Sequence, residues 1–285
     1  MSDEVVRVSN EWLALREPAD AASRSRELIE HLRLGTTGRW VIHDLGGGTG
    51  AMGRWLAPLL DGPQHWVVHD RDAELLAVAA ADTPGPAADG SAVTVDTKQS
   101  DITATEPGDL AGATLITASA LLDMLTEDEL AGVVAACAAA GCPTLLAMSV
   151  VGRVELDPAD PPDRRVADAF NAHQRRATSR GRLLGPDAAP RAVDEFERRG
   201  AEVLVRPSPW RLGAPQAELA TVWFTGWARA ACEQEPELAG EIDAYMRQRL
   251  GQATAGQLDV TVDHVDLLIL PPRAGQASSK RGESA

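Results

Sequence analysis

Hydrophobic positions along the chain switch between two periods. Short apolar runs at Trp40–Leu45 and at residues 65–69, 92–95, 113–118 and 144–151 read as strands. Between them, apolar residues recur at helical spacing over residues 51–60 and at Leu75, Leu76 and Val78. Thr126-Glu127-Asp128-Glu129 forms a capping box that opens a further helix ending before Gly141. Ahead of the first strand, Ser9 or Asn10 caps a short helix through Glu17, and Pro18 suits the first turn of a second. That second helix carries Leu28, Ile29, Leu32 and Leu34 on one side and stops at Gly35. Strands and helices alternating at this rhythm predict an α/β fold with a doubly wound, mostly parallel sheet.

Beyond residue 151 the rhythm changes. Residues 157–163 are a Pro/Asp loop, residues 164–176 a basic helix, and residues 186–199 a helix ended by Gly200. A sixth strand is expected at residues 202–206. Residues 213–256 carry a helical pattern holding Trp223, Phe224 and Trp227, and residues 260–270 alternate as a last strand. From residue 272 to residue 285 a polar, disordered tail is expected. There is no internal repeat, and a single domain over residues 1–285 is expected.

Composition narrows the function classes. An apolar fraction of 44% is enough for a large core, while 42 acids against 27 bases leave a net charge of −15. Such a field disfavours nucleic acid as the main partner, because phosphate neutralisation drives that binding. No run of about 18 apolar residues spans a membrane. The acidic start Met1-Ser2-Asp3-Glu4 precedes no apolar signal core, so cytoplasmic residence is expected. The three cysteines form no CxxC pair, which gives no support for a metal site or disulfide framework.

The chemistry is concentrated in Val41-Ile42-His43-Asp44-Leu45-Gly46-Gly47-Gly48-Thr49-Gly50, a strand ending in an acid and then a glycine-rich corner before a helix. Glycines there let the backbone approach a ligand closely. The next strand ends at Asp70, where nucleotide-binding sheets hold ribose hydroxyls. An adenosine-containing cofactor is implied. Gly48-Thr49-Gly50-Ala51-Met52-Gly53 satisfies GxGxxG, which leaves a nicotinamide dinucleotide and an oxidoreductase open. Asp44 argues against it, since a carboxylate there repels a pyrophosphate and suits an ammonium group. Each acid also has a plain structural role open to it: Asp44 as a strand-end cap, Asp70 as a helix N-cap, Asp101 as a turn former.

Asp44-x-Gly46-x-Gly48-x-Gly50 resembles the first motif of class I S-adenosylmethionine-dependent methyltransferases, and the order of elements is similar from about residue 18 to residue 270. The resemblance implies a Rossmann-like, seven-stranded sheet with an antiparallel last strand near residues 260–270. N-terminal helices and lid-forming helical insertions belong to the same picture. It implies a cofactor half over residues 18–150, with acceptor or lid elements at residues 157–200 and 213–256. It also implies that Asp44, Gly46, Gly47, Gly48 and Gly50 hold the methionyl part of S-adenosyl-L-methionine. Asp70, with Arg71, would hold the ribose; Asp101 and Ile102 would lie by adenine. Ser119 and Asp123, after the fourth strand, would face cofactor and acceptor, Ser119 as a cofactor contact and Asp123 as a catalytic residue.

The acceptor is less legible. The tetrapeptide of amino-methylating nucleic-acid enzymes is missing, since Ala118-Ser119-Ala120-Leu121 stands in its place, and Asp160-Pro161-Pro162-Asp163 reads as a loop. Arginines at positions 164, 165, 175, 176, 180 and 182 surround Phe170-Asn171-Ala172-His173-Gln174. The segment is similar to one in uncharacterised bacterial methyltransferases with a Phe-x-x-His-Gln helix and later Leu-Gly-Pro and Ser-Pro-Trp-Arg-Leu stretches. Here His173 is the expected general base, and Phe170, Arg175 and Arg176 the expected wall for a small, anionic acceptor. A solvated arginine face is the alternative. A cofactor-binding protein without catalysis also remains open, as does oligomeric state.

Overall fold

The computed structural model describes residues 8–35 and 38–272; the expected tail falls almost wholly outside them. Two helices come first, α1 (Asn10–Ser23) and α2 (Arg26–Gly35). Ser9 caps α1 by accepting the Trp12 amide at 3.2 Å. Pro18 lies inside α1 and does not start α2. Tertiary bonds explain this override of local propensity. On α1, Glu17 accepts from Arg54 at 2.7 and 2.6 Å, and Asp20 accepts from Trp210 at 2.8 Å. The chain breaks instead at Arg24, and the next amide, Ser25, donates to the Asp266 carboxylate at 2.7 Å.

The first half alternates as expected: β1 (Trp40–Leu45), α3 (Ala51–Leu56), β2 (Gln64–Asp70), α4 (Ala73–Ala81), β3 (Val93–Gln99), β4 (Leu115–Ser119), α5 (Glu127–Ala140) and β5 (Thr144–Asp157). The second half contains α6 (Asp163–Gln174), a small hairpin of β6 (Ala177–Thr178) and β7 (Gly181–Arg182), α7 (Ala188–Arg198), β8 (Glu202–Pro207) and β9 (Trp210–Leu212). It closes with α8 (Ala217–Gln234), α9 (Leu238–Glu241), α10 (Asp243–Thr254) and β10 (Asp259–Leu270). The main sheet runs in the order β3-β2-β1-β4-β5-β10-β8. β1 through β5 pair in parallel, while β10 is antiparallel to both β5 and β8. This is the doubly wound sheet with an antiparallel last strand. β9 was not expected. After a break at Ser208-Pro209, it continues the edge by pairing Trp210–Leu212 with residues 260–262 of β10.

Both faces of the sheet are covered. One core joins Leu28, Leu32, Leu56 and Trp66 to Phe224 and Trp227. The other joins Ile116, Leu130, Val134, Phe196 and Leu267. In the second half, α6 packs on α8 through Phe170 and Trp227, with ring centroids 6.4 Å apart. Asp163 ties this group to α10 by accepting from Arg249 at 2.7 and 2.6 Å and from Tyr245 at 2.7 Å. Among the described residues, no helix is long and apolar enough to cross a membrane.

Candidate functional site

Parallel strands deliver their carboxyl ends to one edge, and a crevice opens where the chain direction reverses, here beyond β1 and β4. A cavity of about 630 Å³ lies there, lined by the glycine loop, the ends of β2 and β4, and α1. That is within the ordinary range for small-molecule sites, roughly 300–1,000 Å³.

Asp44, at the end of β1, is buried in the cavity wall. One carboxylate oxygen accepts from Thr117 Oγ1 at 2.7 Å; the other, Oδ2, has no partner. Burial pushes its pKa up to about 7, against the Thr117 bond and the Arg24 charge, which pull it down. The glycine loop is tight against it. A Cβ on Gly47 would lie 2.7 Å from Val68 Cγ1 and closer still to the Asp44 carboxylate, so only glycine fits. Gly46 and Gly48 also line the cavity, whereas Gly50 starts α3 from a left-handed conformation, φ 81°.

Three of the loop's glycine amides are already committed. Gly47 donates to the His69 carbonyl at 3.0 Å, Gly50 to the Gly47 carbonyl at 2.9 Å, and Gly48 to Asp70 Oδ2 at 2.9 Å. The other Asp70 oxygen accepts the Asp72 amide at 2.9 Å, and Asp72 itself caps α4. Asp70 thus closes the turn and faces the cavity with Arg71 beside it. Asp101 does form a turn, accepting from the Thr103 amide at 2.9 Å, and it lines the cavity together with Ile102 and Ser119.

Residues from α1 and its C-cap complete the wall. Trp12, Arg16, Asp20 and Arg24 recur every fourth residue and all line the cavity. Arg24 is buried; its Nη2 donates to Ser119 Oγ at 3.0 Å, while Nε and Nη1 have no partner. Burial lowers its pKa, opposed by Asp20, Asp266 and Asp44. Sequence reasoning missed this row, although its period of four was visible.

No family model matches the chain, and no curated protein matches it in sequence. Solved structures similar to it include a cyclopropane synthase from Mycobacterium tuberculosis, at 14% identity over 92% of this chain and 94% of that one, with a TM-score of 0.48. A SAM-dependent methyltransferase from Geobacter sulfurreducens, in complex with S-adenosyl-L-homocysteine, is 14% identical over 92% of this chain and 98% of that one, with a TM-score of 0.41. A geranyl diphosphate methyltransferase in complex with GPP and sinefungin is 13% identical over 85% and 74% of the two chains, with a TM-score of 0.42. Each likeness is remote.

The expected acceptor wall lies elsewhere. His173, Phe170, Arg175 and Arg176 do not line the cavity. His173 Nε2 sits 3.3 Å from Glu233 on α8, and Arg176 Nη1 donates to the His173 carbonyl at 3.2 Å. Burial and Arg176 lower the His173 pKa, with Glu233 opposing them. Arg175 is spent on Asp187, at 2.6 and 2.7 Å. Phe170 is packing between α6 and α8. The physical reason is that α6 turns this face to α8, so its polar groups neutralise one another. Of the arginine-rich stretch only Arg180 reaches the cavity, and it also donates to Glu129 at 2.6 Å. No residue of α6, α8 or α10 lines the cavity, and the covering wall is α1. Asp123 lies in the turn of residues 122–124, between Leu121 and Met124, which both line the cavity, but it does not line the cavity itself. Burial pushes its pKa up to about 6, against Arg16 and Arg176.

Proposed function

We propose that the protein is a class I S-adenosylmethionine-dependent methyltransferase that methylates an oxygen or nitrogen of a small-molecule acceptor. One observation carries this: Asp44 and Arg24 line the same cavity, and each keeps polar atoms without a partner. A buried carboxylate and a buried guanidinium left incomplete in this way are complementary to an α-amino acid, which brings an ammonium and a carboxylate together. S-adenosylmethionine has such an end. A dinucleotide does not, and the glycine amides that would meet its pyrophosphate are donated internally at Gly47, Gly48 and Gly50.

When bound, S-adenosylmethionine supplies a methyl group activated by a sulfonium. Asp44 suits its ammonium, Arg24 with Ser119 its carboxylate, Asp70 its ribose hydroxyls and Ile102 its adenine. The chain's own work is alignment and exclusion of water, which can supply much of the acceleration of such a transfer. α1 supports this by lying over the glycine loop, with Leu13 Cδ1 3.3 Å from where a Gly48 Cβ would stand. Of the two residues expected to be catalytic, Asp123 stands nearer the site, in a turn whose flanking residues Leu121 and Met124 line the cavity, and it is the candidate proton acceptor for that reason.

Isothermal titration calorimetry tests the assignment. S-adenosylmethionine and S-adenosylhomocysteine should bind the wild type, NADH should not, and Arg24→Met should weaken both amino acid ligands by roughly 10- to 100-fold. Binding of NADH alone, or unchanged affinity in a folded Arg24→Met variant, overturns it.

A further inference from the structure

Two arginines of the cavity wall are held in opposite ways. Arg16, within α1, spends its Nε and Nη2 on the two Asp20 oxygens, at 2.9 and 3.2 Å. Arg24, the C-cap of α1, is buried, and Asp20, Asp266 and Asp44 all act on its charge. Yet among the described residues no carboxylate accepts a hydrogen bond from it: Nη2 reaches Ser119 Oγ at 3.0 Å, and Nε and Nη1 stay unpaired. What lies against it is an aromatic face, for the Arg24 guanidinium carbon sits over the Trp55 ring, 5.3 Å from its centroid. A ring attracts a desolvated guanidinium and restrains its plane without consuming an N–H or neutralising the charge. A carboxylate in that place would take the donors, as Asp20 takes those of Arg16.

Trp55 stands in the second turn of α3, the helix that the glycine loop opens. Ala51 and Met52 of the first turn line the cavity, whereas Trp55 does not; it is buried in the core that holds Leu28, Leu56 and Trp66. It can therefore influence a ligand only through Arg24. Building on the methyltransferase assignment above, we infer that Trp55 is a positioning residue: its ring holds the Arg24 guanidinium in the cavity wall with donors free for the cofactor's carboxylate. Selectivity for a nucleoside thioether that carries this carboxylate then depends on a side chain that does not touch it. A role in packing alone has a different consequence. Loss of a core tryptophan beside a site loosens it for every ligand, with or without a carboxylate.

Three probes separate the two roles. They are S-adenosylhomocysteine, its decarboxylated analogue, which keeps the ammonium, and methylthioadenosine, which lacks the whole amino acid end. Each is titrated calorimetrically into the full chain. The wild type should bind S-adenosylhomocysteine about tenfold or more tightly than the decarboxylated analogue. Trp55→Leu should bring that ratio down to about threefold or less and leave methylthioadenosine affinity within about twofold, which also reports that the variant is folded. Trp55→Phe, with a weaker ring face, should give an intermediate ratio, and it carries the test alone if Trp55→Leu does not fold. A ratio unchanged in the variants, or an equal loss for all three ligands, overturns the inference and leaves the cofactor assignment standing. A wild-type ratio near one overturns the inference outright. Failure of S-adenosylhomocysteine to bind the wild type overturns the cofactor assignment itself, and this inference with it.

Discussion

A carboxylate buried at Asp44 is costly unless something completes it, and its pKa near 7 measures that cost. The sign follows from the direction. A carboxyl whose folded pKa lies above its unfolded value favours folding fully below the unfolded value of about 4. That contribution is lost as pH rises through 7. Without ligand, Asp44→Asn should therefore be neutral or stabilising above pH 7, by about 0–1 kcal/mol, as read from thermal melts at pH 8. With ligand the balance reverses. An ammonium beside the carboxylate favours its ionised form, so binding of S-adenosylmethionine should release protons and weaken as pH falls from about 7.5 to 6. Calorimetry in buffers of different ionisation enthalpy reads this directly. Asp44→Asn should abolish the proton release and cost about 1.5–3 kcal/mol of affinity. An unchanged proton count in the variant would remove Asp44 from the ammonium site.

Among the elements, α1 is the one whose docking makes the site, and a buried carboxylate on β10 anchors it. Asp266 accepts from Ser25 at 2.7 Å, from Met148 at 2.8 Å and from Ser208 at 2.6 Å. Met148 is a non-glycine strand residue at φ 56°, opposite an irregularity in β10, so its amide is held in a strained place by this bond. Asp266→Ala should cost about 3 kcal/mol or more in denaturant unfolding, because buried donors are left unpaired. Arg54→Met, which cuts the tie to Glu17, should speed amide hydrogen exchange in α1 and leave the sheet protected. The sequence declared the sheet and the glycine corner because a period of two and a run of glycines are local signals. Gly46-Gly47-Gly48 and Asp70 were readable for that reason. It did not declare β9, the continuity of α1 through Pro18, or the burial of Arg24, since all three depend on partners distant along the chain. His173 failed differently. A histidine among arginines reads as a site only when α8, which supplies Glu233, is left out.

Across the whole molecule, acidification sets two electrostatic effects against each other. A net charge of −15 opposes compaction, and protonating carboxylates relieves that repulsion. Asp44 and Asp123, with pKa values raised to about 7 and 6, also favour the folded state as pH falls through those values. Buried histidines work in the opposite sense. Burial, reinforced by His43, lowers the pKa of His69 to about 4, and burial with Arg16 does the same to His264. His69 Nε2 lies 3.0 Å from His43 Nδ1, and its Nδ1 lies 3.2 Å from Ser100 Oγ, so a proton added there breaks an internal pairing. A histidine depressed in this way stabilises fully above its unfolded value of about 6.5 and loses that contribution as pH falls toward 4. The loss is on the order of 3 kcal/mol per residue at most. Surface repulsion is screened over about 10 Å at 0.1 M salt, whereas the buried groups are not, so the histidines should win. Melting temperature should peak between pH 6 and 7 and fall by several degrees by pH 5, with little dependence on salt. His69→Gln, which keeps hydrogen-bonding capacity without a titrating ring, should flatten the acid limb. A melting temperature that rises steadily down to pH 5, or an acid limb that salt removes, would show that surface charge governs instead.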